Sequence, residues 1–321
     1  MVVRYEPVAL EEIEAAAARI AETIVRTPLL RLQAEDAPGE IFLKPENLQP
    51  IGSFKLRGAG NALHLADGHD LERGIWTASA GNMAQAVAWH ARERGLPCSV
   101  VVPETAPRTK LEAIARLGAK AIPVPVATWL EVFRTRSYPG LDGFFVHPFS
   151  DPAVMAGNGT IGLEIVEDLP EVDAVLVPYG GGGLVCGIAS ALRTLRPSCR
   201  VYACEVETAA PLAASLAAGE PVEIDHVASF VDGIGAATVF EEMFTLAREL
   251  VTGSIVVGLD EIAAAIRLLV ERNRIVAEGA GAAPVAAALS GRAGSARIVC
   301  VVSGGNIDHE KLQVILGGGT P

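Results

Sequence analysis

The sequence predicts an α/β fold built on parallel sheets, and three observations predict it. Short runs rich in Val and Ile recur along the 321 residues, helix-length segments separate them, and several runs end in glycines or small polar residues. Strands that are apolar throughout, each followed by a helix, belong to parallel sheets covered on both faces. The strands read as 40–44, 74–79, 97–103, 119–124, 172–178, 200–206 and 297–303. Helical patterns fill 83–95, 108–118 and 184–195, with Gly95 and Gly118 placed as stops. Seven strands exceed what one modest sheet needs, so two sheets are expected. The segment "FFVHPFSDPAV" (144–154) is the clearest boundary, and the other falls within "HLADGHDLERG" (64–74). A subdomain inserted between them would leave a cleft, a common place for a small-molecule site.

Composition narrows the function. Half the residues are hydrophobic and a fifth charged, as in an ordinary globular protein. The 26 basic and 38 acidic residues give a net charge of −12, with no basic run longer than a pair. Nucleic acid and anionic membrane both need a basic face, so neither is an expected partner. Cys98, Cys186, Cys199, Cys204 and Cys300 are odd in number and scattered. That pattern suits reduced thiols in a cytoplasmic protein better than disulfides or a zinc site. The amino terminus turns acidic where a signal peptide needs an apolar core, and no apolar run is long enough for a membrane helix.

The chemistry concentrates in four loops. "VDAVLVPYGGGGLVCGIASAL" (172–192) runs a buried strand through Gly180, Gly181, Gly182 and Gly183 directly into a helix. Consecutive N–H groups without Cβ atoms can converge on one anion, and the helix adds its positive end, which is what a phosphate needs. "GNGTIG" (157–162) fits a dinucleotide fingerprint but follows no strand, so glycines for tight helix packing are the better reading. In "TASAGNMAQAVAW" (77–89), Ser79, Gly81 and Asn82 form a helix amino-terminal loop able to hold a carboxylate, with plain capping as the simpler alternative. "CVVSGGNID" (300–308) ends a strand at Ser303 in the same manner. The fourth loop, "LQPIGSFKLRGAGN" (48–61), shelters Lys55 behind Phe54 among glycines. A free lysine has a pKa of about 10.4, so a reactive one must be desolvated or crowded by cations. A phosphate cradle, a carboxylate pocket and a sheltered amine together suggest pyridoxal phosphate joined to Lys55.

These motifs, "GSFKLRGA", "SAGNMAQ", "GGGGL" and "SGGN" in that order, resemble the pyridoxal-phosphate enzymes of fold type II, and within them the serine/threonine dehydratase and serine racemase group. The resemblance runs from "TPLLRL" (27–32) to "SGGNID". It implies two open twisted sheets with helices on both faces. Residues 1–74 and 149–321 would form a large domain and 75–148 a small mobile one. It also implies Lys55 as the Schiff-base lysine, Phe54 near the ring, Asn82 on the phenolic oxygen and Ser303 on the pyridine nitrogen. Gly180 to Gly183, with Leu184, would bind phosphate, and Ser79, Gly81 and Asn82 would receive the substrate carboxylate. The expected reaction is elimination of water from L-threonine or L-serine to a 2-oxo acid and ammonia, by a homodimer or homotetramer. Other β-hydroxy amino acids (3-hydroxyaspartate, phenylserine, a hydroxyectoine product) and racemisation of serine are the alternatives.

The sequence departs from that pattern in places. Ala80 matches dehydratases, whereas racemases carry a serine there as a second acid/base. Met83, Ala86, Asn158 and Tyr179 replace the usual histidine, glycine, glutamine and small residue, leaving the identity of the substrate open. Glu205 matches a cation-binding glutamate of some relatives, but Pro211 stands where its partner aspartate is expected. The chain stops soon after "SGGNID", so feedback by isoleucine through a carboxyl-terminal domain is not expected.

Overall fold

The computed structural model describes residues 4–321; the first three residues of the amino-terminal segment considered above lie outside them. Ten strands form: β1 (Leu30–Arg31), β2 (Glu40–Pro45), β3 (Ile75–Ala78), β4 (Cys98–Pro103), β5 (Lys120–Val124), β6 (Phe144–Phe145), β7 (Ala174–Pro178), β8 (Arg200–Val206), β9 (Gly253–Val257) and β10 (Arg297–Val302). They make a six-stranded sheet, β1-β2-β10-β7-β8-β9, and a four-stranded sheet, β5-β4-β3-β6. All pairings are parallel except β1 on β2.

The all-apolar strands are apolar because both faces are covered. Along β7, Ala174 and Leu176 join one core while Val175 and Val177 join the other. In β10, Ile298, Cys300 and Val302 likewise face away from Val299 and Val301. The four-stranded sheet repeats this on a smaller scale, with Val100 and Val102 on one face of β4 and Val101 on the other.

Helices Asn82–Glu93 and Arg108–Arg116 both end at the expected stops, Gly95 (φ 65°) and Gly118 (φ 84°). The "GNGTIG" stretch lies inside helix Pro152–Asp168, which Asp151 caps through the N–H groups of Ala153 and Val154. Its glycines serve packing: a Cβ on Gly157 would lie 2.5 Å from the Arg57 carbonyl, and one on Gly159 would lie 2.9 Å from that of Gly187. Helix Lys55–Leu65 packs toward the smaller sheet, since Leu56, Ala59 and Leu63 share a core with Val100 of β4 and with Val87 of helix Asn82–Glu93.

The strands β1, β6 and β9 were not foreseen. β1 and β6 are two residues each and exist only through their partners; β6 is held to β3 at Ile75 and Trp76. "GSIVV" (β9) is an edge strand, and it pairs with β8 alone.

Candidate active site

Three loops leave the carboxyl ends of β3, β7 and β10, and the turn before Lys55 is stitched to the third. Ser53 bridges Gly304, the Phe54 N–H donates to the Ser303 carbonyl (2.9 Å), and the Gly305 N–H donates to the Gly52 carbonyl (2.9 Å). Helix Lys55–Leu65 thus begins against the end of β10, with Ser303 2% exposed there. Asn82, at the first turn of its helix, reaches the same place: its Oδ1 accepts from Asn306 Nδ2 (2.8 Å) and its Nδ2 donates to Glu278 Oε1 (2.8 Å).

The Lys55 amine donates to the Pro148 carbonyl (2.7 Å) and lies 5.0 Å from the centre of the Phe54 ring. Although the residue as a whole is half-buried, its amine is withdrawn from water. Burial pushes its pKa down to about 8, against the opposing pull of the Glu278 charge. His147 shapes the turn that presents Pro148, because its Nδ1 accepts the Ser150 N–H (2.8 Å); burial keeps this imidazole neutral, with a pKa of about 3.

Phe149, next in that turn, presses on the glycine loop. A Cβ on Gly181 would lie 2.2 Å from its ring, and one on Gly183 would lie 2.6 Å from its carbonyl oxygen. Gly182 adopts φ 89°, which a side chain would oppose. Among the described residues, the backbone N–H groups from Gly180 to Val185 find no acceptor. Helix Gly183–Leu195 starts among them, so its positive end adds to six unpaired donors. Leu184 is 5% exposed behind them. This row of amides, closed to side chains by Phe149, fits a phosphate.

The loop after β3 behaves differently from a capped helix. Ser79 Oγ accepts from the Gly81 N–H (3.2 Å) and no side chain caps the helix. The N–H groups of Asn82, Met83 and Ala84 are therefore left without an acceptor among the described residues. Simple capping by Ser79 or Asn82 is not what the structure contains.

Residues 20–304 match the family described as Pyridoxal-phosphate dependent enzyme. The chain belongs to that family. This pyridoxal-phosphate dependent enzyme is 39% identical over 319 residues to the L-threonine ammonia-lyase of Thermotoga maritima, covering 97% of the chain and 79% of the relative. It is 38% identical to the catabolic L-threonine dehydratase of Escherichia coli K12, covering 97% of each. Its backbone superposes on maize serine racemase with a TM-score of 0.87 at 32% identity, over 96% of each chain. The enzyme has the architecture of fold type II, and its cofactor is pyridoxal phosphate.

Several sequence-level expectations need correction. Met83, Asn158 and Tyr179, raised above as hints about substrate, are each about 1% exposed and line the core instead of the cleft. Asn158 supports the glycine loop from behind by donating to the Gly183 carbonyl (3.2 Å). Glu205, the match to a cation-binding glutamate, serves the start of a helix. Its carboxylate accepts from the N–H groups of Leu212 (2.8 Å) and Ala213 (2.8 Å) and from the Ser254 hydroxyl (2.5 Å). It thereby satisfies the start of helix Pro211–Ala218. Among the described residues, no three His, Cys, Asp or Glu side chains gather to hold a metal ion. All five cysteines are free, and among the described residues no helix is long and apolar enough to cross a membrane.

The sequence reading missed Glu278. Burial, then the charge of Asp232, raises its pKa to about 7, opposed by the hydrogen bond from Asn82. A signal was present: it is the single charge in "IVAEGAGAAPVAAAL" (275–289), where nothing but a specific partner justifies burying a carboxyl.

Proposed function

We propose that this enzyme removes water from a small β-hydroxy-α-amino acid, threonine or serine, yielding a 2-oxo acid and ammonia. The observation that carries the reading is the desolvated Lys55 amine on the Pro148 carbonyl, with the next residue, Phe149, packed on the loop whose six amides, Gly180–Val185, are unpaired. Relatives named for threonine ammonia-lyase and threonine dehydratase activity, matched over 97% of the chain, supply the substrate class. Bound pyridoxal phosphate supplies an electron-poor ring that takes up the electron pair left when the α C–H bond breaks.

The chain's own residues do the rest. Gly180 to Gly183, with Leu184, would hold the phosphate through backbone N–H groups. Phe54 would flank the ring, Ser303 would meet its nitrogen with a neutral hydroxyl, and Asn82 would donate to its oxygen. Ser79, Gly81 and the amides at the start of the Asn82–Glu93 helix receive the substrate carboxylate, orienting the α C–H bond. Lys55 then takes the α proton. With a pKa of about 8, roughly a tenth of its amine is neutral at pH 7, against well under a thousandth for an ordinary lysine. The β-hydroxyl departs as water with the proton that Lys55 took from the α carbon, and the unsaturated amine left behind takes up water to give the oxo acid and ammonia.

A second reading, serine racemisation, is favoured by the superposition on maize serine racemase. Ala80 argues against it, since a methyl group cannot return a proton from the opposite face. The test is a panel of β-hydroxy amino acids with ammonia and oxo acid measured together, and chiral chromatography of residual serine. Stoichiometric ammonia and oxo acid support elimination; D-serine without ammonia would overturn it.

We further assign residues 75–148 to a small mobile domain and the remainder to a large one. Supporting this are the separate four-stranded sheet and a surface ion pair across the cleft, Lys110 to Asp232 (2.7 Å). Reduced cysteines and the lack of a basic face suit a cytoplasmic enzyme acting on a free amino acid. Relatives suggest a homodimer or homotetramer, which sedimentation would check.

A further inference from the structure

Glu278 touches none of the groups given a role above except Asn82, yet it is placed with care. Its backbone N–H donates to the Gly304 carbonyl (3.0 Å), and it forms the cap position of helix Gly279–Leu289. The carboxyl then lies against Gly304, where a Cβ would come within 2.5 Å of Oε1 and 3.2 Å of Asn82 Nδ2. A side chain at 304 would therefore separate Glu278 from Asn82.

The hydrogen bonds settle which way the Asn82 amide faces. Asn306 Nδ2 donates both to the Ile51 carbonyl (2.9 Å) and to Asn82 Oδ1 (2.8 Å), so it can offer Asn82 only a hydrogen. On the other side Asn82 Nδ2 donates to Glu278 Oε1 (2.8 Å), and an ionised carboxylate can only accept. Flipping the amide would break both bonds at once. One hydrogen on Nδ2 remains unspent.

We infer that Glu278 is a positioning residue, which with Asn306 locks the Asn82 amide so that its second N–H is presented to the cofactor's ring oxygen. This rests on the role proposed for Asn82 and extends it to a residue that meets the cofactor only through another. The charged groups facing Glu278 are Lys55 on its helix, Asp232 on the turn Asp232–Ile234, and Lys110 on helix Arg108–Arg116. Asp232 in turn is paired with Lys110 and, at 3.7 Å, with Lys311. Glu278 can therefore gain a proton near neutral pH, which leaves one oxygen able to accept but removes the charge that strengthens the bond from Asn82, and so loosens the lock.

A double-mutant cycle on cofactor affinity tests this. Purified apoprotein of the parent, Asn82→Ala, Glu278→Ala and the double variant is titrated with pyridoxal phosphate, each preparation checked by melting temperature. If Glu278 acts through Asn82, each single change weakens binding ~10-fold and the double no more than ~2-fold further. Additive losses of ~100-fold, or unchanged affinity in Glu278→Ala, would overturn the inference. Should Glu278→Ala fail to fold, Glu278→Gln keeps the size and one acceptor. It should hold affinity within a few-fold while losing the part of the pH dependence that Glu278 adds to that of the Lys55 amine, and a pH profile unchanged from the parent's would refute the role. A parent protein that bound no pyridoxal phosphate at all would instead sink the cofactor reading itself.

Discussion

Lys55 and Arg57 lie two residues apart on one helix, and their surroundings are opposites. Arg57 is fully buried and every one of its nitrogens is engaged. Nε donates to Glu46 (2.8 Å), Nη1 to Thr160 (3.0 Å) and Glu164 (2.6 Å), and Nη2 to Glu46 (2.8 Å) and Glu164 (2.9 Å). Lys44 completes the group by donating to the Thr27 carbonyl and pairing with Glu164, each at 2.6 Å, so two cations face two anions. Thr27 and Gln49 each add a second hydrogen bond to one of the two Glu46 oxygens. Around Lys55, by contrast, six glycine-loop amides lack acceptors, the amine is held by one carbonyl, and Glu278 is short of compensating charge. A closed polar network holds a fold together, whereas an open one of similar burial is waiting for a ligand.

The comparison makes graded predictions. Lys55→Ala should reduce ammonia release by at least ~10²–10⁴-fold while leaving the melting temperature of the apoprotein nearly unchanged. A variant with normal turnover would remove Lys55 from the reaction. Arg57→Ala should do the reverse, costing about 3–5 kcal/mol in denaturant unfolding because it strands two buried carboxylates. A loss within ~0.5 kcal/mol would show that the network is not as closed as its geometry indicates.

Glu278 sharpens the contrast by sign. Its carboxyl ordinarily titrates near 4.5 and is held at about 7 in the folded chain. The folded state therefore binds more protons than the unfolded one between those values, so stability is favoured below pH 4.5 and falls as the pH rises to 7. Glu278→Gln should abolish that slope and stabilise the apoprotein at pH 8 by up to roughly 3 kcal/mol. A destabilised variant at pH 8 would mean that the carboxylate is better paired than its neighbours suggest. The smallest expected effect concerns Glu205. With its oxygens filled by Leu212, Ala213 and Ser254, millimolar magnesium or a chelator should leave the melting temperature unchanged, and a clear shift would place a cation where the helix start now lies.

Much of the open region was legible in the chain and little of the closed one. Lys55, Asn82, Gly180–Gly183 and Ser303 announce themselves because small residues at strand ends cost stability and need a reason. Lys44, Glu46, Arg57 and Glu164 read as ordinary surface charges, since their pairing joins segments up to 120 residues apart that no local pattern connects. The same long reach hid Glu278 and the strands β1, β6 and β9. It also hid the burial of Met83 and Tyr179 in the core.

The most direct test is chemical. Borohydride reduction of the enzyme loaded with pyridoxal phosphate, followed by peptide mass spectrometry, should find the cofactor fixed to the peptide carrying Lys55, and no label there in Lys55→Ala. Stable labelling of another lysine, with residue 55 left unmodified, would contradict the account.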